Sequence, residues 1–445
     1  MGFTLNDEQR LLREQVRGLL AERSTPDVLR KTITAGLDWD EGLWRALAEL
    51  GVLGAGIPEE FGGVGLGPLE VGVVAEEIGR AVAPAPFFSS ICLAAEALMI
   101  AGTPAQKEKW LPKLASGEVV GTFAWTEDAA APEIDFIEAS LEGGRLNGRK
   151  TPVADAAIAQ ICVVAAKIGG KPGLALVELD QAGVTRTPLK GIDELRRFAL
   201  VEFSGAAAEA MDAIDGVEAL NKVLDRAAVF EAFEQVGGAQ GAMEMVRDYV
   251  QQRFIFGRPL GSYQAVKHRL ADDFAKIELA TCNALYAANS LASDKSDARA
   301  AAATARVGAT TAYEVIARDN LQFHGGIGFT WEANCQFHYR RARMLALNIG
   351  SVEFWSDRLV EILDASVEDL PRGAPPPKVP EQPDTPEDAE YRAKARAWLA
   401  EQAKTFKVGG IHWETPEGVA LGKRWTRAKY DAGYSAVDHP KEFGG

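Results

Sequence analysis

Apolar residues recur at helical spacing through the first part of the chain. An opening amphipathic helix would carry on one face the side chains of Leu5, Leu11, Leu12, Val16, Leu19 and Leu20. Trp44, Leu47 and Leu50 repeat this spacing before Pro58 and the glycine pair Gly62-Gly63 interrupt it. We therefore predict an all-helical domain over residues 1–118.

Near residue 119 the pattern changes to short β-rich segments that are separated by Gly, Pro or Asp. They include VVGTFAW, QICVVAA, GLALVEL and FALVEF, and they predict a middle domain, an antiparallel sheet or barrel, over residues 119–210. Helical periodicity then returns in four long, Ala-rich segments, which predict a helical bundle over residues 211–368. The pattern as a whole indicates an α+β multidomain protein.

A Pro-rich segment follows the predicted bundle. Residues 369–387 carry too many prolines for a core element, and we interpret them as a semi-rigid linker. Residues 427–445 align without a gap with residues 45–63 and agree at eight positions, where chance would give about one or two. We interpret residues 388–445 as the start of a second, truncated copy of the N-terminal helical domain. Two unrelated helix-turn segments are the alternative.

Composition narrows the range of partners. The chain is 47% apolar and 25% charged, as in globular proteins, and its net charge of −15 argues against nucleic acid and anionic membranes. A local basic residue or a helix N-terminus could still hold a phosphate-bearing ligand. The four cysteines are widely spaced without a CxxC pair, so we expect no metal site and no disulfide framework. The absence of a signal-peptide core and of a long apolar run predicts a cytoplasmic protein without a membrane span.

Three motifs occur in order along the chain: FAWTED at 123–128, RFIFGRPLGSYQAVKHRLAD at 253–272 and QFHGGIGFTWE at 322–332. With the order helices, strands, helices, residues 1–368 resemble the acyl-CoA dehydrogenase family. That resemblance implies an N-terminal helical domain, a middle β domain and a C-terminal four-helix bundle. It also implies FAD as cofactor, α,β-desaturation of an acyl-CoA thioester, and an electron acceptor such as an electron-transfer flavoprotein.

The resemblance also implies which residues bind the cofactor. Residues from two of the motifs would reach the pyrophosphate and adenine of the FAD in a neighbouring subunit: Arg253, Phe256, Gln322, Gly325 and Gly326. A guanidinium suits a pyrophosphate because it is a permanently charged fork of donors, and adjacent glycines allow close approach of the backbone. Thr126 could bond an edge of the flavin. An exposed charge at a helix end and an ordinary helix-terminating turn are the alternatives for the arginine and the glycines.

The residues that would perform the chemistry are missing. Ile349 occupies the family's usual position for the catalytic glutamate, and Ala227 occupies the alternative position on an earlier helix. Glu231 lies one helical turn from Ala227 and is the one plausible stand-in, although an inter-helix charge is the more common role. Pro152 and Ala154 replace the Trp and Thr that pack against the flavin ring, and the family's Gly-Ser-Asp turn after Thr126-Glu127 is absent.

This selective loss leads to three hypotheses. In the first, this copy is the supporting half of a tandem or heteromeric acyl-CoA dehydrogenase that acts on a bulky, for example steroid, acyl-CoA. Its partners would be like or unlike acyl-CoA dehydrogenase domains in an oligomer. In the second, the chain is a complete flavoenzyme, a dehydrogenase or an oxidase or monooxygenase, with Glu231 as an unusual base. In the third, it is a scaffold or binding protein without flavin.

Overall fold

The computed structural model describes residues 5–127, 134–368, 385–406 and 415–435. The chain divides into two compact units, Met1–Asp369 and Leu370–Gly445. Nearly all of the predicted linker, residues 369–384, lies outside the described residues, as does the end of the repeated motif, residues 436–445. No described helix has the length and the apolar character that crossing a membrane requires.

The N-terminal part of the first unit is helical. Its elements are α1 (Asp7–Arg23), α2 (Pro26–Thr34), α3 (Glu41–Glu49), α4 (Pro68–Arg80), a π-helical segment (Phe88–Ala95), α5 (Glu96–Ala101) and α6 (Pro104–Ala115). A capping box at Asn6 and Gln9 starts α1. The interior helix α4 buries Glu76 and Glu77, which accept hydrogen bonds from Arg13 and Arg17 on α1 at 3.1 and 2.7 Å.

One mixed sheet follows. Its seven strands in the described residues are β1 (Gly121–Ala124), β2 (Ser140–Glu142), β3 (Arg145–Ala154), β4 (Ile161–Ile168), β5 (Lys171–Glu178), β6 (Val184–Leu189) and β7 (Phe198–Met211). The long strand β7 pairs antiparallel with β3, β5 and β6. However, β1 and β2 both run parallel to β4, so the prediction of an antiparallel sheet is wrong for these two pairs. Hydrophobic alternation reports which face of a strand is buried and carries no information on strand direction.

The C-terminal part is a helical bundle around one buried helix. Its elements are α7 (Gly216–Gln252), β8 (Phe254–Ile255), β9 (Arg258–Pro259), α8 (Gln264–Ala292), α9 (Ala298–His324), α10 (Cys335–Leu345) and α11 (Val352–Glu368). The middle of α7 is buried on every side, and its carboxylates Glu231 and Glu234 are buried with its apolar residues. Where α7 crosses α4 the two backbones nearly touch: a Cβ on Gly79 would lie 1.9 Å from the Glu234 carbonyl oxygen, and one on Gly237 would lie 1.7 Å from that of Glu76. Glycine is required at both positions because nothing larger fits.

The second unit contains α12 (Pro386–Thr405) and α13 (Pro416–Asp431). When the alignment of the sequence repeat is extended towards the N-terminus, Arg23 corresponds to Thr405. Arg23 is the last residue of α1, and Thr405 is the last residue of α12. The same offset carries the buried residues Val16 and Leu43 onto Trp398 and Trp425, whose ring centroids lie 5.6 Å apart. These correspondences favour the interpretation of residues 388–445 as a second copy, which stays a prediction.

Candidate functional site

The hairpin after α7 presents the first two predicted FAD residues to solvent. Helix α7 ends because Arg253 adopts an extended conformation, with φ −80° and ψ 117°. Between β8 and β9 the turn residues Phe256 and Gly257 have φ values of 49° and 79°, as a tight two-residue turn with both φ values positive requires. Phe256 is 95% exposed, and Arg253 is exposed as well. An apolar ring held outward in an unfavourable backbone conformation is typical of a contact residue.

The end of α9 presents the other three residues. Gln322, Gly325 and Gly326 are all exposed. Gly325 has φ 66° and ψ −141°, a combination that is essentially restricted to glycine, and it ends the helix. We call the surface formed by Arg253, Phe256, Gln322, Gly325 and Gly326 the hairpin surface.

Tyr249 connects the two segments of the hairpin surface. Its ring stacks on His324, with centroids 4.0 Å apart and an interplanar angle of 24°. Its hydroxyl donates to the His324 carbonyl oxygen at 3.2 Å, and its own carbonyl accepts the Arg253 N–H at 2.9 Å. Tyr249 therefore joins the two segments that carry the five predicted residues, although these segments lie about 70 residues apart in the chain.

Large apolar side chains accompany the hairpin surface on the same two segments. Those that are exposed there are Phe254, Ile327, Phe329 and Trp331, in addition to Phe256. Several exposed large apolar side chains on two joined segments are typical of a docking site for another protein domain.

Thr126 lies two residues after the end of β1 and is half-buried. The ring of Trp125 packs edge-on against Phe354 of α11 at a centroid distance of 6.0 Å. The fully buried Lys150 donates to the Trp125 carbonyl at 3.1 Å and to the Glu127 carboxylate at 2.6 Å. Burial lowers the pKa of Lys150, and the hydrogen bond to Glu127 opposes this shift. This packing leaves the described neighbours of Thr126 engaged with one another.

Neither family position for the base holds a group that accepts a proton. Ile349 is buried, and its carbonyl accepts the Trp355 indole N–H at 3.1 Å. Ala227 is fully buried within α7. Both places are part of the apolar core.

Glu231, the proposed stand-in, lies in the interior beside Arg306. It is completely buried, and its carboxylate lies 3.5 Å from the Arg306 guanidinium. Burial raises its pKa from the ordinary 4.5 to about 7, and Arg306 opposes the shift. Arg306 also donates to the carbonyl oxygens of Leu345 and Gly350 at 2.6 and 3.3 Å. Glu231 is thus the counter-charge of an arginine that holds the turn between α10 and α11, which favours a structural role.

A second buried charge cluster escaped the sequence analysis. Arg196 donates to Glu234 at 2.8 and 3.2 Å, and Arg341 donates to Glu234 at 3.2 Å and also to Asp193. All four side chains are buried, and their formal charges cancel, as the interior of a protein requires. One signal was present in the sequence: Arg341 occupies the aspartate position of the family's Tyr-Arg-Asp-Ala segment.

The raised pKa of Glu231 predicts a pH-dependent stability. Because the folded state binds this proton more tightly than the unfolded state, the contribution is fully present below pH 4.5 and is lost as the pH rises to about 7. Relative to a Glu231→Gln variant, the wild-type chain should lose about 3 kcal/mol at most between pH 4.5 and pH 7.5. Urea titrations of both proteins across this range test the prediction, and parallel pH profiles would contradict it.

Two family models match the chain. Residues 6–118 match the model for the acyl-CoA dehydrogenase N-terminal domain, and residues 215–361 match the model for the C-terminal domain of the same family. The acyl-CoA dehydrogenase IpdE2 of Mycolicibacterium smegmatis is 33% identical over 347 residues, which cover 78% of this chain and 96% of the relative.

Solved structures share the fold. A variant of the Tcur3481-Tcur3483 steroid acyl-CoA dehydrogenase has a TM-score of 0.77 at 30% identity, covering 82% of this chain and all of that chain. The ChsE4-ChsE5 complex from Mycobacterium tuberculosis has a TM-score of 0.75 at 26% identity, covering 83% of this chain and all of that chain.

Proposed function

The chain belongs to the acyl-CoA dehydrogenase family, and from this premise we propose that residues 5–368 are the supporting half of an enzyme built from two unlike halves. The hairpin surface would complete the FAD site of the partner half. The partner would carry the catalytic base and the residues that hold the flavin ring. FAD supplies the hydride acceptor for α,β-desaturation of an acyl-CoA thioester.

The observation that carries this proposal is the contrast between the two places where the family binds FAD. The hairpin surface keeps all five residues exposed, and Tyr249 joins the two segments that carry them. The place where the chain's own flavin ring would lie has Pro152 and Ala154 in place of ring-packing side chains. There, Trp125 packs on Phe354. The residues present therefore fit the pyrophosphate and adenine end of a partner's FAD, and they do not fit a flavin ring.

Within this arrangement each residue of the hairpin surface has a defined task. Arg253 would neutralise the pyrophosphate with its fixed fork of donors, and Gln322 would hydrogen-bond the same end of the cofactor. Gly325 and Gly326 would let the backbone approach closely. Phe256 would supply an apolar contact and exclude water.

The partner and the substrate follow by analogy with similar proteins. The ChsE4-ChsE5 complex, by its name, pairs two different proteins of this fold, and the Tcur3481-Tcur3483 protein is described as a steroid acyl-CoA dehydrogenase. We infer an unlike acyl-CoA dehydrogenase domain as partner and a bulky or steroid acyl-CoA as substrate. An electron-transfer flavoprotein is the acceptor that family membership favours.

Flavin stoichiometry tests the proposal. The tagged chain is purified once alone and once with its partner half from the organism that encodes it, and bound FAD is measured by absorbance. We expect no tightly bound flavin on residues 1–368 alone and about one FAD per pair of halves. One FAD on the isolated chain would overturn the proposal. A complex that takes up no added FAD would instead favour a flavin-free scaffold.

One observation favours a second candidate, a complete enzyme with Glu231 as base. Its pKa of about 7 suits a general base at neutral pH. A Glu231→Gln variant of the purified complex separates the candidates, because an essential base would lose at least about 100-fold in turnover. We expect the loss to stay within about threefold, since the Arg306 contact makes Glu231 a structural group.

The two glycines of the hairpin surface give a matched pair of predictions. Gly325→Ala should destabilise the isolated chain by about 1–3 kcal/mol because its backbone conformation strains any side chain. Gly326→Ala should leave stability unchanged, since no heavy atom lies within 4 Å of the added Cβ. In the complex, however, Gly326→Ala should weaken FAD binding roughly tenfold because the methyl group would occupy space that the dinucleotide needs. Unchanged FAD affinity would remove Gly326 from the site.

A further inference from the structure

The two segments of the hairpin surface must stay at a fixed distance from each other if both are to bind one dinucleotide. We propose that Tyr249 is the positioning residue of the hairpin surface, and that it sets the position of Arg253 relative to Gly325. The inference rests on the proposed function and adds to it a residue that itself lies outside the predicted contact set. Tyr249 acts through its neighbours, since its side chain is half-buried between α7 and α9.

The contacts of Tyr249 reach both segments from one residue. On the α7 side, its carbonyl receives the Arg253 N–H at 2.9 Å, the last backbone hydrogen bond of the helix, so the Tyr249 side chain lies one turn before the point where the chain leaves α7. On the α9 side, its hydroxyl holds the His324 carbonyl at 3.2 Å, and that carbonyl belongs to the peptide bond leading into Gly325. A rotation of one helix end against the other would therefore break the ring stack and the hydroxyl hydrogen bond between Tyr249 and His324.

The histidine against which Tyr249 stacks is itself held in place. The His324 Nδ1 lies 2.7 Å from the Asn320 carbonyl oxygen, one turn back along α9. Asn320 is buried, and its amide donates to the Met245 sulfur of α7 at 3.6 Å. The two helices are thus joined at Met245 and Asn320 and again, one turn further on, at Tyr249 and His324. The second junction lies directly beneath the hairpin surface.

The hairpin also contacts the residue that precedes α8. These contacts make the turn of the hairpin move together with Arg253 at its start. Tyr263 donates its hydroxyl to the Ile255 carbonyl at 3.1 Å, and the Arg258 guanidinium lies 3.8 Å from the centre of the Tyr263 ring. The Leu260 N–H donates to the Arg253 carbonyl at 2.7 Å. Because the hairpin is short and has these three contacts, we expect it to move as one body with Arg253. Tyr249 lies one helical turn before Arg253 and therefore sets the position of both.

Positioning of this kind increases affinity because the site loses little conformational freedom on binding. Tyr249→Leu removes both the stack and the hydroxyl, and it should raise the Kd for FAD in the complex about tenfold. Tyr249→Phe keeps the ring, and it should raise the Kd about threefold. With FAD at saturation, kcat should stay within twofold for both variants, since neither touches the reacting atoms.

The matched control is Tyr313→Phe. Tyr313 is also a tyrosine beside a histidine, with its hydroxyl 3.2 Å from Nδ1 of His338, but it is fully buried in the bundle core. The Tyr313→Phe substitution should leave the Kd for FAD unchanged, even if it lowers the thermal stability of the chain. A general loss of stability would instead raise the Kd for all variants in proportion to the change in Tm.

Hydrogen exchange of the isolated chain provides a measurement that needs neither partner nor FAD. Tyr249→Leu should speed exchange at residues 253–260 and 325–330, whereas Tyr313→Phe should not. The inference is overturned if Tyr249→Leu leaves both the exchange and the Kd unchanged while Arg253→Gln still weakens FAD binding. If Arg253→Gln also leaves the Kd unchanged, the proposed function fails, and the role of Tyr249 in FAD binding fails with it.

Discussion

Replacing Arg253 with glutamine should weaken FAD binding by the assembled complex by about 100-fold, since charge-assisted hydrogen bonds contribute about 1.5–3 kcal/mol each. Glutamine keeps a donor and much of the length of the side chain, so the loss measures the charge and the bidentate geometry. The stability of the chain should change by less than about 0.5 kcal/mol because the side chain is exposed. Among the described residues the structure records no hydrogen bond or ion pair of the Arg253 side chain.

The control for Arg253 is Arg247→Gln. Arg247 is an exposed arginine near the end of α7, and it forms an ion pair with Asp248 at 2.9 Å outside the hairpin surface. Isothermal titration of flavin-depleted complexes with FAD gives both affinities. Equal affinities of the two variants would show that charge near α7 acts only at long range, and the proposed task of Arg253 would then be wrong.

Replacing Arg341 with methionine should lower the free energy of unfolding by about 3–5 kcal/mol, the largest effect on stability that we expect. The substitution leaves Asp193 without its arginine and leaves Glu234 with Arg196 alone, in a region from which water is excluded. Removing one member of a buried cluster is costly because the remaining charge cannot regain its hydration. Chemical denaturation at pH 7 measures the change.

The adjacent Arg340 is the control for this prediction. Its side chain is partly exposed and lies 3.3 Å from the Glu194 carboxylate and from the Ile192 carbonyl. Arg340→Met should cost less than about 1 kcal/mol, as is usual for ion pairs near the surface. Similar costs for the two variants would mean that the buried cluster is hydrated and contributes little.

The residues of the candidate site could be named from the sequence because the motifs that carry the family resemblance are local. Arg253 and Phe256 lie within four residues of each other, and Gln322 and the glycine pair lie within five residues at one helix end. Such short motifs fix backbone conformation and exposure without reference to the rest of the fold. Helical and β periodicity similarly predicted the succession of helical, β and helical parts, because each element must present its apolar face to a core.

The charge clusters could not be predicted in this way. Glu234 and Arg341 are separated by 107 residues, and Asp193 and Arg341 by 148. A charged residue in a helical pattern is compatible with the surface as well as with a buried partner, and the choice depends on which helix crosses it. The same holds for Glu231, whose buried ion pair with Arg306 no local pattern predicts.

Residue identity and periodicity were sufficient for the family, the order of its parts and the exposed residues of the hairpin surface, since these are properties of short segments. Only the tertiary structure decided three other features: the parallel direction of β4 beside β1, the pairing of the buried charges, and the contact of Tyr249 with His324. Each of these joins residues that are distant in the chain. Their energies arise from exclusion of water and from the relative placement of whole elements, which no local pattern of side chains records.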